Sequence, residues 1–156
     1  MRKGSEKIKI NNKAQILINN FHPYIKSPVP CKNIRNFVTE LMNGEGCDLK
    51  NLDINLIENS EIKRINRKFL NHNYYTDIIT FPYSIGKSGI EGELFISLDE
   101  VKSNSLSFSE PFKNEFMRVI IHGCLHLTGY NDKTRKQKEL IKQKENFYMC
   151  KIGKRT

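Results

Sequence analysis

Two histidines stand four residues apart in the segment His122-Gly123-Cys124-Leu125-His126-Leu127-Thr128-Gly129-Tyr130-Asn131-Asp132. On a helix this spacing places both imidazoles on one face, about 40° apart and roughly one turn removed along the axis. Such a pair can hold a single metal ion. Gly129, three residues beyond His126, suits the left-handed conformation that ends a helix and reverses the chain. The reversal would carry Asp132 towards the open side of the pair. His122, His126 and Asp132 then form a three-ligand site with one position left for water. That is the composition of a catalytic zinc centre, whereas a structural one takes four protein ligands. A lone HxxxH pair is more often coincidence. Here the glycine, the acid and the cost of placing two histidines on an otherwise apolar helix all favour metal.

The neighbours narrow the chemistry. Gly123 occupies the position where a zinc peptidase carries its general-base glutamate, so peptide hydrolysis lacks its proton acceptor. A glycine there suits close packing, or close approach of a bulky substrate. Glu115 and Arg118 lie seven and four residues before His122 on the same face. Glu115 could orient an imidazole N–H, and Arg118 could face a substrate phosphate. A simple ion pair between the two is the other reading. Cys124 points away from the histidines, into the core.

The elements that must position these residues can be read from periodicity. The stretch Ile8 to Asn19 can hold one or two short strands. Ile34, Phe37, Val38 and Leu41 have helical spacing within Lys32–Met42, and Asn43-Gly44-Glu45-Gly46 ends that helix. Leu52, Ile54 and Leu56 alternate with Asp53 and Asn55, as on a strand with one polar face. Ser60 would cap a helix from Glu61 to about Leu70, with Ile62, Ile65 and Phe69 on one side. Asp77–Tyr83 and Glu91–Ser97 read as strands around a loop marked by Gly86 and Gly89. The next element is a helix from about Pro111 to Leu127, apolar around most of its circumference and therefore buried. A last helix, about Thr134 to Met149, has Leu140, Ile141, Phe147 and Tyr148 as its apolar stripe. The expected class is α+β: a small mixed sheet packed with several helices, the metal site at the end of a buried central helix.

Composition sets the outer limits. The chain has 156 residues, the size of one domain spanning 1–156, and buries enough surface to need no staples. Four dispersed cysteines (Cys31, Cys47, Cys124, Cys150) fall short of a disulfide scaffold and read as reduced thiols in a cytoplasmic protein. No apolar run reaches the ~18 residues of a membrane helix, and MRKGSEKIKI has no apolar signal region. The net charge of +9 suggests a polyanion partner, although A/T-rich codons can also inflate lysine. Its distribution is more informative. Residues 1–30 carry six basic residues against Glu6, and residues 133–156 carry nine against Glu139 and Glu145; the remainder is mildly acidic. The two basic ends read as nucleic-acid-holding arms.

With these residues in view, the chain resembles the YbeY family of bacterial single-domain proteins. His122 to Asp132 resembles the family's HGxLHLxGYDH signature, Thr76-Asp77-Ile78-Ile79-Thr80-Phe81-Pro82 resembles TDVLSFP, and Gly92-Glu93-Leu94-Phe95-Ile96-Ser97 resembles its GDIxIS strand. The resemblance implies a metal-dependent, single-strand-specific endoribonuclease in rRNA maturation, at the 3′ end of the small-subunit rRNA, and in ribosome quality control. It also implies partners: the small ribosomal subunit, a small-subunit ribosomal protein and a ribosome-associated GTPase. Two positions depart from the pattern. Asn131-Asp132 replaces Asp-His, so the third ligand is a carboxylate; zinc remains the expected ion, with manganese more compatible than before. Leu70 stands where the family usually has an arginine implicated in RNA cleavage. A non-catalytic ribosome-assembly factor with a structural metal is therefore an open alternative, and a zinc peptidase a weaker one.

Overall fold

The alternation of Leu52, Ile54 and Leu56 sets the frame of the sheet. In the computed structural model, which describes residues 14–84 and 89–153, all three are fully buried on β2 (Leu49–Ile57). Strand β1 (Gln15–Asn20) runs parallel to β2 on one side and β4 (Ile90–Ser97) parallel on the other. Strand β3 (Ile78–Ser84) pairs antiparallel with β4, giving the order β1-β2-β4-β3. The sheet is thus small and mixed, as expected. Of the stretch Ile8 to Asn19, residues 8–13 lie outside the described residues, and the rest supplies β1.

Because side chains alternate across a strand, the sheet has two different faces. Leu52, Ile54 and Leu56 join Leu94 and Ile96 in the main core, with α1 (Cys31–Gly44), α4 (Phe112–Leu127) and α5 (Arg135–Gly153). The opposite phase, Ile57, Ile79, Phe81 and Phe95, packs with Ile62 and Ile65 of α2 (Asn59–Leu70) in a smaller cluster. Asn55, read as the polar side of its strand, is nonetheless buried. It accepts from Asn19 and donates to Glu93, each at 3.1 Å, forming a polar ladder across three strands.

Several expectations need correction. Helix α2 begins at Asn59, with Glu58 rather than Ser60 at its N-cap. The Asn59 amide donates to Asp99 Oδ2 at 2.9 Å, a cap supplied from a distant segment. Phe69 is exposed rather than on the buried side of α2. An additional helix, α3 (Leu98–Ser107), fills the gap before α4; Ser97 caps it by accepting from the Glu100 amide. On α5 the buried stripe is Ile141, Glu145 and Tyr148, while Leu140 (47%) and Phe147 (52%) are exposed. The spacing is helical in both cases, but the helix is rotated so that a glutamate faces inward.

Helix α4 is the buried central helix. Phe116, Ile120, Ile121, Cys124 and Leu125 are fully buried, and burial pushes the Cys124 thiol up to about 12. Among the described residues no cysteine is joined in a disulfide. Gly123 packs closely against the sheet: a Cβ there would lie 2.6 Å from Ile78 Cδ1 and about 3 Å from both Leu94 methyls. Gly123→Leu should therefore lower stability by about 2–3 kcal/mol, even though leaving glycine returns ~1 kcal/mol of helix propensity. An unchanged denaturation midpoint would contradict this packing account.

Candidate metal centre

The last two turns of α4 carry His122 and His126, and the chain then reverses at Gly129, whose φ of +111° no ordinary side chain favours. The Gly129 amide donates to the His126 carbonyl and the Tyr130 amide to the Leu125 carbonyl. This closed turn brings Asp132 back over the histidines. His122 Nε2 and His126 Nε2 lie 2.9 Å apart, and Asp132 Oδ2 lies 3.5 and 3.4 Å from them. Among the described residues this trio forms a group of donor atoms able to hold a metal ion. Donors placed tetrahedrally at the usual ~2.0–2.1 Å from one ion would be roughly 3.3 Å apart, and the observed separations bracket that value.

The ring nitrogens facing away decide what the site can accept. His126 Nδ1 lies 2.8 Å from the Tyr130 carbonyl, which can only accept, so Nδ1 carries the proton and Nε2 presents a lone pair. His122 Nδ1 lies 2.5 Å from Glu145 Oε1 and donates to that carboxylate. In their neutral forms the two Nε2 lone pairs therefore face one another and a carboxylate. Three acceptors converging on one point require a cation between them, either a proton or a metal ion. A nitrogen, nitrogen and oxygen donor set of this kind suits zinc and other first-row divalent ions.

Glu145 was missed by sequence reasoning, which placed Glu115 and Arg118 beside the histidines. Glu145 lies 23 residues beyond His122, on α5, and its signal was a glutamate at the i+4 position of the Ile141-Glu145-Tyr148 stripe. Arg118 Nη1 approaches the other Glu145 oxygen at 3.6 Å and donates to Asn146 at 3.0 Å. Glu115 is buried on α4, its carboxyl pushed up by burial and then by nearby Asp77. Burial alone would depress His122, but the Glu145 hydrogen bond and charge outweigh it and raise its pKa above the ordinary 6.5. Asp77, at the entrance of β3, lines the same cleft; burial raises its pKa, partly opposed by His122.

Tyr130 ties this turn to the body. Its hydroxyl donates to Glu45 Oε2 at 2.9 Å, while Tyr148 donates to Oε1 at 2.6 Å and Lys144 Nζ lies 3.3 Å from Oε1. Burial alone would raise the Glu45 carboxyl, but these three donors together hold it below the ordinary value of 4.5. A depressed carboxylate stabilises the fold above its unfolded pKa, and that contribution is lost as pH falls through the folded value. Glu45→Gln should thus cost about 1–2 kcal/mol at neutral pH and flatten the loss of stability on acidification. Equal acid profiles for the two proteins would refute the assignment.

The trio opens into a cleft of about 920 Å³ that extends from Lys133 along Asp77 to Leu70, His72 and Tyr74. Among the described residues, no helix is long and apolar enough to cross a membrane.

Comparison with known proteins agrees with this geometry. Residues 18–153 match the family model described as Endoribonuclease YbeY. The Endoribonuclease YbeY of Cytophaga hutchinsonii is 43% identical over 113 residues, 72% of this chain and 79% of the relative. The protein of the same name from Chlorobium phaeovibrioides is 37% identical over 132 residues, 85% of this chain and 88% of the relative. The solution structure of TM1509 from Thermotoga maritima aligns with a TM-score of 0.63 at 27% identity, covering 86% of this chain and 87% of that one. The match over nearly the whole described chain, on a fold whose central helix presents the His122/His126/Asp132 cluster, shows that the chain belongs to the YbeY endoribonuclease family.

Proposed function

We propose that this protein is a metal-dependent endoribonuclease that cleaves single-stranded RNA, with His122, His126 and Asp132 holding a zinc ion. The reading extends to the 3′ end of the small-subunit rRNA, ribosome quality control and work in the cytoplasm. A small-subunit ribosomal protein and a ribosome-associated GTPase are its candidate partners. The observation that carries the metal assignment is the convergence of two Nε2 lone pairs and one carboxylate oxygen while both Nδ1 atoms are already engaged. Manganese is the second candidate ion, because the carboxylate is a harder ligand than a third imidazole.

When bound, a divalent ion supplies positive charge against the scissile phosphate and acidity to a water. The chain's own residues prepare that chemistry. Glu145 and the Tyr130 carbonyl fix the tautomer and direction of both imidazoles. Asp77 places a carboxyl in the wall of the same cleft. Lys133 lies in the cleft wall and supplies charge for phosphate.

Leu70 lines the cleft and offers no charge, which favours one second reading: an RNA-binding assembly factor with little cleavage. Single-stranded oligoribonucleotides from the small-subunit rRNA end, compared with duplexes of the same sequence, separate the two. The nuclease reading expects cleaved single strands and intact duplex; binding of both without cleavage supports the assembly factor. A peptidase finds no support, since the Gly123 position is packed against Ile78 and Leu94.

A further inference from the structure

The α2–β3 connection places three aromatic rings in solvent beside the metal cleft. His72, Tyr74 (53%) and Tyr75 (50%) are all exposed, and His72 and Tyr74 line the cleft that contains His122 and His126. Exposing large rings together is unfavourable unless they have a partner. These rings are also held in place. Asn71 ends α2 in the left-handed conformation, with φ of +54°. Asn66, only 2% exposed, then grips the connection twice: its carbonyl accepts from the His72 amide, and its side chain donates to the Tyr74 carbonyl at 3.1 Å. The His72 and Tyr74 rings are nearly parallel, 19° apart, with centroids 5.1 Å apart, and a hydrogen bond of 3.0 Å joins the Tyr74 hydroxyl to His72 Nδ1. Lys63 Nζ sits 4.9 Å from the centre of the Tyr75 ring.

The flank of this shelf is basic. Lys63, Arg67 and Lys68 on α2 border a second hollow together with Asn73 of the same connection. A fixed aromatic surface, a row of cations on one side and a cluster of metal-type ligands on the other match the chemistry of one ligand. That ligand is a single RNA strand, whose bases offer flat faces and whose phosphates offer regularly spaced charge. Phe69 and Leu70 add exposed apolar surface next to the rings, but the cations of α2 favour a polyanion over a protein partner, and duplex RNA keeps its base faces stacked internally.

We propose that His72 and Tyr74 form a base-stacking subsite for single-stranded RNA, with Lys63, Arg67 and Lys68 tracking the adjoining phosphates and leading the strand to the His122/His126/Asp132 cluster. The proposal rests on the reading of RNA as this chain's ligand and does not require that cleavage occur. Stacking tolerates every base, so the subsite selects for an unpaired strand rather than for a sequence.

Binding is measured with the full chain in chelator, which removes cleavage from the readout, using a fluorescein-labelled oligoadenylate and the same backbone without bases. Tyr74→Ala should weaken binding of oligoadenylate roughly tenfold and leave binding of the abasic strand unchanged. Tyr74→Phe keeps the ring and should bind as the wild type does. Tyr24→Ala, at an exposed ring outside the cleft, should have no effect. Replacing Lys63, Arg67 and Lys68 by alanine should reduce the slope of affinity against salt concentration, which Tyr74→Ala should not. Equal loss on the abasic strand, or wild-type affinity in Tyr74→Ala, overturns the stacking subsite. Intact RNA in the metal-loaded cleavage assay, with the Tyr74→Ala binding defect present, overturns only the nuclease reading.

Discussion

His126→Ala is expected to bind a divalent ion about a hundred- to a thousandfold more weakly than the wild type and to lose RNA cleavage. The magnitude follows from sharing the roughly 10–16 kcal/mol of a four-ligand zinc site among its ligands. His126 faces the cleft on the last full turn of α4, and its Nε2 lies 2.9 Å from His122 Nε2 and 3.4 Å from Asp132 Oδ2. Its removal leaves one imidazole and one carboxylate, too few for a site that must also leave a position open. The fold should survive, because the core side of α4 is built from Phe116, Ile120, Cys124 and Leu125. Calorimetric titration with zinc, beside a circular dichroism spectrum, reads both quantities. Undiminished zinc affinity in a folded variant would remove His126 from the ligand set.

Glu145→Ala is expected to cost roughly ten- to a hundredfold in metal affinity without removing any proposed ligand. The carboxylate accepts the His122 Nδ1 proton at 2.5 Å and is itself steadied by Arg118 at 3.6 Å. Without it, His122 loses the partner that fixes its tautomer and ring plane. The pH dependence supplies an independent readout. In the metal-free protein the raised His122 pKa means that the protonated pair stabilises the fold below the unfolded value of 6.5, and this is lost as pH rises through the folded value. Metal competes with that proton, so metal occupancy falls as pH drops through the raised pKa. In Glu145→Ala the hydrogen bond and charge that raise this pKa are lost, and the acid limb of metal binding moves to lower pH. Glu115→Gln should leave that limb in place. An acid limb that moves with Glu115 and not with Glu145 would reverse the two roles.

What the sequence revealed and what it concealed divide along a physical line. The His122/His126 pairing is a local property of any helix, so four residues of spacing were enough to suggest it. Asp132 needed one further local device, the glycine turn at 129, which is also visible in the residues. Glu145 could not be reached this way, because its approach to His122 depends on how α5 packs against α4. Reading α5 by hydrophobicity favoured Leu140 and Phe147, both of which face solvent, over the buried Glu145. Helix α3 went unnoticed because Ser103, Asn104, Ser105 and Ser107 carry little apolar periodicity; only Leu98, Val101 and Ser105 are buried. The sheet was legible in its strands but not in its order, which depends on long-range pairing of β2 with both β1 and β4.

The charge distribution also takes on a more definite form. The basic C-terminal segment is largely the folded helix α5, anchored in the core by Ile141 and Tyr148. Lys133 lies in the cleft beside the metal-type cluster, while Lys63, Arg67 and Lys68 on α2 line a separate hollow that shares the α2–β3 connection. Those of α2 fall in the middle of the chain, whose net charge is slightly acidic. The total of +9 therefore says less about the RNA path than the placement of a few residues does.

The central claim is that a metal ion held by His122, His126 and Asp132 is needed for cleavage of single-stranded RNA. The most direct measurement follows cleavage of a single-stranded small-subunit rRNA fragment by the wild-type chain, first stripped with chelator and then supplied with stoichiometric zinc or manganese. The stripped protein should show no cleavage, and one equivalent of ion per chain should restore it. Full cleavage in the stripped, metal-free protein would contradict the claim.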